Sequence, residues 1–416
     1  MSAGLVHPIV DFVAVGIGPA NLSLAALRQP QRDITAQFYE QRPGLHWHEG
    51  TLLPDAAMQT SYLKDLVTPV DCTSPYSFLS FLQSHRRLYK FIIANFPMVT
   101  RVEFDQYLKW VSSRLSDLNY ATRVHAVEYD RQFTVHHSRG SVRSNHVVLG
   151  IGLEPRIPES VRQNCSTTLF HSSQYLKCRS RFADKRVAVI GGGQTGAEVV
   201  ADILRDESAA PAQLVWLSRR MNYLPLDDSP FTNELFLPSY SQFFHSLSAR
   251  LREALVDEQK LASDGISHDT LERLYRRIYQ LTYLSANRPP RIDLKPAHIV
   301  EEITAHHCGW RLQVRERLTD RTDDMDVDVA ILCTGYEYRI PALLDPILDL
   351  CETAAGELRL NEDFSVRWRG PRQNRIYVQN GSRIGRGVAD PNLSLVAWRS
   401  AKILNSIAQR TVYDVE

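Results

Sequence analysis

The sequence predicts an α/β protein made of two Rossmann-like, doubly wound dinucleotide-binding domains and a smaller, mostly helical unit. Three observations carry that expectation. At 416 residues the chain is longer than one hydrophobic core organises. Two strand–glycine loop–helix openings begin about 175 residues apart. Between them and the C-terminal third, residues 221–290 change character, with prolines first and then apolar residues at helical spacing.

The first opening runs from the β-branched stretch 10–15 into Gly16-Ile17-Gly18-Pro19-Ala20-Asn21 and then into the apolar stretch 22–27. Such a strand suits a parallel sheet buried on both faces. Gly16 permits the tight turn. Gly18, followed by Pro19, lets backbone approach a pyrophosphate seated on the helix N-terminus, while Asn21 stands where a third glycine is usual. The next strand, 36–40, ends in Glu40, at the spacing of an acid that takes the ribose hydroxyls.

The second opening, 186–190, leads into Gly191-Gly192-Gly193-Gln194-Thr195-Gly196, a complete glycine pattern at the head of a helix. Its next strand, 213–217, ends in Ser218-Arg219-Arg220 rather than in an acid. A guanidinium there suits the 2′-phosphate of NADPH and so favours it over NADH; the alternative is two solvated arginines. Pro225, Pro230 and Pro238 then interrupt the chain. Leu271, Leu274, Ile278 and Leu281 recur at helical spacing after the N-cap candidates Ser267 and Asp269. Strands are expected at 303–314 and 328–332 and a last helix at 393–408.

Composition narrows the function. A net charge of +1 gives no electrostatic ground for a nucleic acid or an anionic membrane as partner. No apolar run reaches the roughly 18 residues of a membrane span. Residues 1–8 lack the basic and apolar regions of a secretory signal, so a cytoplasmic address is expected. Cys72, Cys165, Cys178, Cys308, Cys333 and Cys351 form no Cys-x-x-Cys pair, which speaks against a redox dithiol or zinc site and for buried free thiols. His46 and His48 flank Trp47, and His136-His137 and His306-His307 are adjacent; strand neighbours face opposite ways, so none is a natural metal pair.

Two nucleotide folds in one chain point to hydride transfer from NADPH to a flavin, here FAD. Residues 1–165 with 330–416 are assigned to FAD, 166–220 with 291–329 to NADPH, and 221–290 to a helical substrate-binding insertion.

The segments Leu45-His46-Trp47-His48-Glu49-Gly50 and Met58-Gln59-Thr60-Ser61-Tyr62-Leu63-Lys64-Asp65 resemble the N-hydroxylating flavin monooxygenases of siderophore biosynthesis. So do Phe170-His171-Ser172, Pro230-Phe231-Thr232-Asn233-Glu234, Cys333-Thr334-Gly335-Tyr336 and Asn392-Leu393-Ser394-Leu395. Stretches 256–266 and 397–404 look most like the lysine branch, whose short length the chain shares with its diamine relatives.

The resemblance implies hydroxylation of the terminal amine of lysine or of its decarboxylated diamine cadaverine, through a C4a-hydroperoxyflavin formed with molecular oxygen. Putrescine or ornithine is the alternative substrate. By the same analogy Trp47, His48 and Gln59 lie beside the flavin, with Thr334, Gly335 and Ser394 in the cofactor region. Lys64 and Asn233, with Ser394, face the substrate. Lys64 either pairs with a substrate carboxylate, contacts cofactor phosphate, or pairs near Asp65; Trp47 has a core reading, Gln59 and Ser394 loop-cap readings, and Asn233 a turn reading. A homotetramer is implied. Two departures argue against ornithine: the usual Thr-Asn-Tyr appears as Leu281-Thr282-Tyr283, and the usual His-Gly as Arg386-Gly387. The competing class is a non-catalytic redox sensor that binds both nucleotides.

Overall fold

The computed structural model describes residues 9–179, 182–285 and 289–415. The signal-segment reading of residues 1–8 falls outside them. Two sheets organise the chain. In the first, strands Leu118–Asn119, Ala36–Tyr39, Val10–Val15 and Gly140–Leu149 lie side by side in parallel, and Arg375–Val378 adds parallel to Gly140–Leu149. Gln132–His137 and Val124–Asp130 continue the sheet as an antiparallel meander. The central strand is apolar on both faces because helices cover both. Helix Pro19–Arg28 packs against helix Val396–Ala408, which brings the C-terminal segment onto the N-terminal cradle.

The second sheet is parallel throughout, in the order Arg291–Lys295, Gln213–Leu217, Arg186–Ile190, Val329–Leu332 and Leu169–His171. Its helix is Gln194–Ile203. Strand Val329–Leu332 belongs here, so a division at residue 330 would cut through a strand of the second sheet. The run expected at 303–314 is a hairpin: His298–His306 turns at His307, whose φ is +49°, into Gly309–Glu316, and Thr322–Val327 completes an antiparallel ladder. Ile303, Trp310 and Leu312 from this ladder pack on Ala188, Val215 and Ala330.

Between the sheets stand Thr232–Phe236 and helices Pro238–Ser246, Ala249–Glu258, Leu261–Asp264 and His268–Tyr283. Phe236 and Ala262 bury into the first core, whereas Ile266, Leu274 and Leu281 bury into the second. The insertion is thereby wedged between the two nucleotide folds. The last helix starts at Val396 after a 3₁₀ turn at Leu393–Leu395. No helix among the described residues is long and apolar enough to cross a membrane. All six cysteines are free, but the expectation of buried thiols holds only for Cys178 and Cys333; Cys72, Cys165 and Cys308 are exposed and Cys351 is intermediate.

Candidate active site

The first cradle forms where strand Val10–Val15 ends. Gly16 has φ +88°, and a methyl there would lie 2.5 Å from the Gly150 carbonyl oxygen, so glycine is demanded twice over. Gly18 is extended at the helix N-cap with open space before it, and Pro19 opens the helix without an amide to satisfy. Free first-turn amides and the helix dipole make this end an anion seat. Asn21 turns inward: its Nδ2 donates to the carbonyls of Val15 (3.0 Å) and Gly16 (2.8 Å), and its Oδ1 accepts from Gln379 (2.9 Å). It holds the loop in shape from beneath. Glu40 accepts from the amides of Ile17 and Arg42, and a recess of about 120 Å³ opens beside it against Tyr39 and Thr122.

The second cradle is tighter. Gly191 has φ +140°, and a methyl there would lie 2.1 Å from the Cys333 carbonyl oxygen. At Gly196 a methyl would lie 2.0 Å from the Gly191 carbonyl oxygen, which already accepts from the Trp216 indole at 2.8 Å. This glycine lets the helix sit on the strand. Gly193 is the extended N-cap, with only the Asp264 carbonyl nearby at 3.8 Å, and Gln194 and Thr195 begin the helix. Beyond the next strand, Arg220 is committed to the Asp264 carbonyl at 2.9 Å. Arg219 is exposed, and its guanidinium meets no acid among the described residues, while its carbonyl is held by Arg317 at 2.7 Å.

The cradles meet at Gln59. Its Nε2 donates to Ser267 Oγ at 3.2 Å and, at 3.4 Å, to Gln194 Oε1 and the Gly265 carbonyl. One side chain thus touches the second helix N-terminus and the insertion from the first fold. Ser267 does occupy the N-cap, but its hydroxyl faces Gln59 instead of capping the helix. Gln194 also accepts from the Ser267 amide and donates to Glu198, and Glu198 pairs with Arg101 at 2.5 Å in a largely buried bridge between folds. Arg101 and Glu198 carry no motif, and sequence reasoning missed both.

Trp47 leans on Phe104 at 5.5 Å and stands edge-on to His48 at 4.6 Å, partly buried against the first core. His48 has φ +51° and is exposed. Desolvation, with the Arg101 charge, shifts its pKa downward, which favours the neutral ring. Asp65 gives its carboxylate to Val67, Thr68 and Phe78, which removes it as a partner for Lys64. Lys64 is half-buried, its pKa pulled down by desolvation, with no carboxylate bound among the described residues.

Asn233 is exposed, with Nδ2 fixed to the Asp228 carbonyl at 2.9 Å, beside Phe231, which is 86% exposed. Thr334 donates to the Arg156 carbonyl, and the Gly335 carbonyl receives Arg156 N and His171 Nε2. Thr334 therefore braces the crossover between the sheets. Ser394 is buried, its amide and hydroxyl both given to Asn392 Oδ1, which Thr60 also contacts at 3.2 Å. Beneath this loop Arg399 pairs with Asp390 at 3.0 Å, both at most 2% exposed, and reaches the Asn380 side chain. Thr282 donates to the Ile278 carbonyl on an exposed helix face.

The chain matches the family model described as L-lysine 6-monooxygenase/L-ornithine 5-monooxygenase over residues 8–338. It is 36% identical over 410 residues to L-lysine N6-monooxygenase of Escherichia coli, covering 98% of this chain and 96% of that one. Among solved structures, the FAD-bound cadaverine monooxygenase of the desferrioxamine pathway from Erwinia amylovora superposes with a TM-score of 0.92 at 30% identity, covering 98% and 96% of the two chains. The ornithine N-hydroxylase of Kutzneria sp. 744, solved with reduced FAD, NADP+ and L-ornithine, gives 0.89 at 30% identity, covering 97% and 99%.

Proposed function

The chain belongs to the L-lysine 6-monooxygenase/L-ornithine 5-monooxygenase family, a family of flavin-dependent N-monooxygenases of siderophore synthesis, and from that premise we propose that it hydroxylates the terminal amine of lysine. The observation that carries the choice is Lys64. A half-buried ammonium without a carboxylate is costly to keep, and a substrate that brings one compensates it. Lysine does; cadaverine does not. Cadaverine is the second reading, supported by the likeness to the Erwinia amylovora enzyme.

The cofactors are FAD and NADPH, and both cradles have the form such groups need. In this reading Gly16, Gly18 and the first turn from Pro19 hold the FAD pyrophosphate, Glu40 the ribose, and Trp47 and His48 flank the ring system. Gly191, Gly193 and the turn begun by Gln194 and Thr195 hold the NADPH pyrophosphate, with Arg219 on its 2′-phosphate. With the boundary moved past strand Val329–Leu332, residues 1–165 with 333–416 are assigned to FAD, 166–220 with 291–332 to NADPH, and 221–290 to substrate. Bound FAD supplies the oxygen-activating chemistry, with NADPH as reductant. Overall, amine, O2, NADPH and a proton give hydroxylamine, NADP+ and water.

The chain's own groups position and exclude. Gln59, held by Ser267 and the Gly265 carbonyl, fixes the junction of the two cofactor sites and the insertion. Neutral His48 puts no proton in competition with the amine, and Lys64 and Asn233 orient the substrate from its far end. Ser394, rigid on Asn392, closes the flavin side. The reading extends, by family analogy, to a cytoplasmic homotetramer. Lys64→Met tests the substrate assignment: kcat/KM for lysine should fall roughly 10- to 100-fold, as for a lost charge-assisted hydrogen bond, and that for cadaverine should hold. Equal losses on both substrates would remove the carboxylate role.

A further inference from the structure

Away from the cofactor junction, five basic side chains gather where the insertion meets the C-terminal part of the first fold. His245 ends helix Pro238–Ser246, and Arg252 lies on the next helix, donating to the His245 carbonyl at 3.3 Å. Arg359 and Arg367 sit opposite one another on paired chain segments, Arg367 N donating to the Arg359 carbonyl at 2.8 Å. Arg386, the residue standing where the resembled family has histidine, ends the short helix Arg383–Arg386. The residue is 1% exposed, and its guanidinium stacks on Phe364 at 4.2 Å and reaches the Asn361 carbonyl at 2.5 Å.

Carboxylates stand near these guanidinium groups without touching them. No ion pair within 4.0 Å joins Arg252, Arg359, Arg367 or Arg386 to a carboxylate among the described residues, although neighbouring Arg375, Arg383 and Arg399 each have one. Buried Nε of Arg252 and buried Nε and Nη1 of Arg386 have no hydrogen-bond partner. The acids nearby are engaged elsewhere: both oxygens of Glu357 accept from Ile384 N, Asp390 serves Arg399 and Ser382, and Asp363 serves Arg375 and Ser406. Glu253 and Glu362 remain exposed at the rim. Desolvation first, then the charges of Arg359 and Arg367, lower the pKa of Arg252 against the pull of Glu357 and Glu253, and burial with the charges of Arg386, Arg252 and Arg367 lowers that of His245 to about 4. Buried, unsatisfied guanidinium N–H groups of this kind are expensive unless an anion completes them.

We propose that Arg252, Arg359, Arg367 and Arg386 form a binding site for a small multivalent oxyanion, a phosphate ester or polycarboxylate, that ties the helical insertion to the first fold. Guanidinium forks suit both classes through paired N–H donors. Occupancy would stiffen the wedge on which the substrate segment rests.

The test uses protein saturated with FAD and NADP+, so that both cradles are filled. Pyrophosphate and tricarballylate are titrated separately by calorimetry, at ionic strength held constant with chloride. One saturable site is expected, and the Arg359→Gln/Arg367→Gln variant, whose exposed positions spare the core, should weaken it at least tenfold. Stronger heat with pyrophosphate identifies a phosphorylated ligand, and with tricarballylate a polycarboxylate. Binding no different from chloride alone, or binding unchanged in the variant, overturns the site.

Discussion

Arg219→Ala separates a nucleotide selector from a surface arginine. The side chain is exposed at the end of strand Gln213–Leu217 with no acid to release, and its backbone is held by Arg317 whatever the side chain is. Truncation should leave the fold intact and act on the ligand alone. A charge-assisted bond to phosphate contributes about 1.5–3 kcal/mol, and solvent screening at this exposed position reduces that to about 1–2 kcal/mol. The Michaelis constant for NADPH should therefore rise roughly 5- to 30-fold, while that for NADH, which has no 2′-phosphate, should stay within about twofold. Steady-state oxidation of each cofactor in the presence of lysine reads this directly. Equal shifts for both nucleotides would refute the 2′-phosphate role and return Arg219 to a solvated strand end.

Other expectations follow from the same geometry. Gly196→Ala places a methyl 2.0 Å from the Gly191 carbonyl oxygen and should cost about 1–3 kcal/mol in denaturant unfolding together with NADPH binding; a variant that binds NADPH normally would contradict the tight helix–strand contact. Asp390→Ala strands the buried Arg399 guanidinium and should cost about 3–5 kcal/mol, whereas Asp390→Leu/Arg399→Met, which removes both charges, should cost much less. Equal losses would mean that the pair's charge is unimportant there. Burial lowers the His146 pKa to about 4, and its neutral Nδ1 accepts from Arg375 N at 3.1 Å. The unfolded chain thus binds a proton between pH 6.5 and about 4 that the folded chain refuses, and stability falls with pH across that window by up to about 3 kcal/mol. His146→Asn, measured against the parent from pH 7 to 4, should remove that share of the slope; parallel curves would sink the assignment. Catalysis should rise through the mildly alkaline range, because the attacking amine must be neutral; a flat profile from roughly pH 6.5 to 9 with chemistry rate-limiting would count against it.

Much of the architecture was written in local signals. Gly16, Gly191 and Gly196 mark positions where a side chain would strike backbone, and such positions announce themselves in sequence. Ser218-Arg219-Arg220 marked the turn after strand Gln213–Leu217 as a candidate, but only tertiary contacts separate Arg220, committed to the Asp264 carbonyl, from Arg219, whose guanidinium meets no acid among the described residues. Asn21 was seen as a replaced glycine, whereas its three hydrogen bonds to loop and sheet needed the strand around residue 379 to be in place. Residues 303–314 read as one strand-like run because a tight reversal at His307 and Cys308 carries no glycine–proline punctuation before Gly309. The Arg101–Glu198 bridge and the arginine cluster around His245 were invisible, since each joins side chains far apart in sequence.

Lysine N-hydroxylation is read from the amount of hydroxylated amine formed per NADPH oxidised, with lysine, cadaverine, ornithine and putrescine offered separately to the FAD-loaded protein. Close to one hydroxylamine per NADPH is expected with lysine, and lower coupling with the other three. NADPH oxidation with every amine and hydroxylation of none would contradict it, and tight coupling with cadaverine alone would overturn the role given to Lys64.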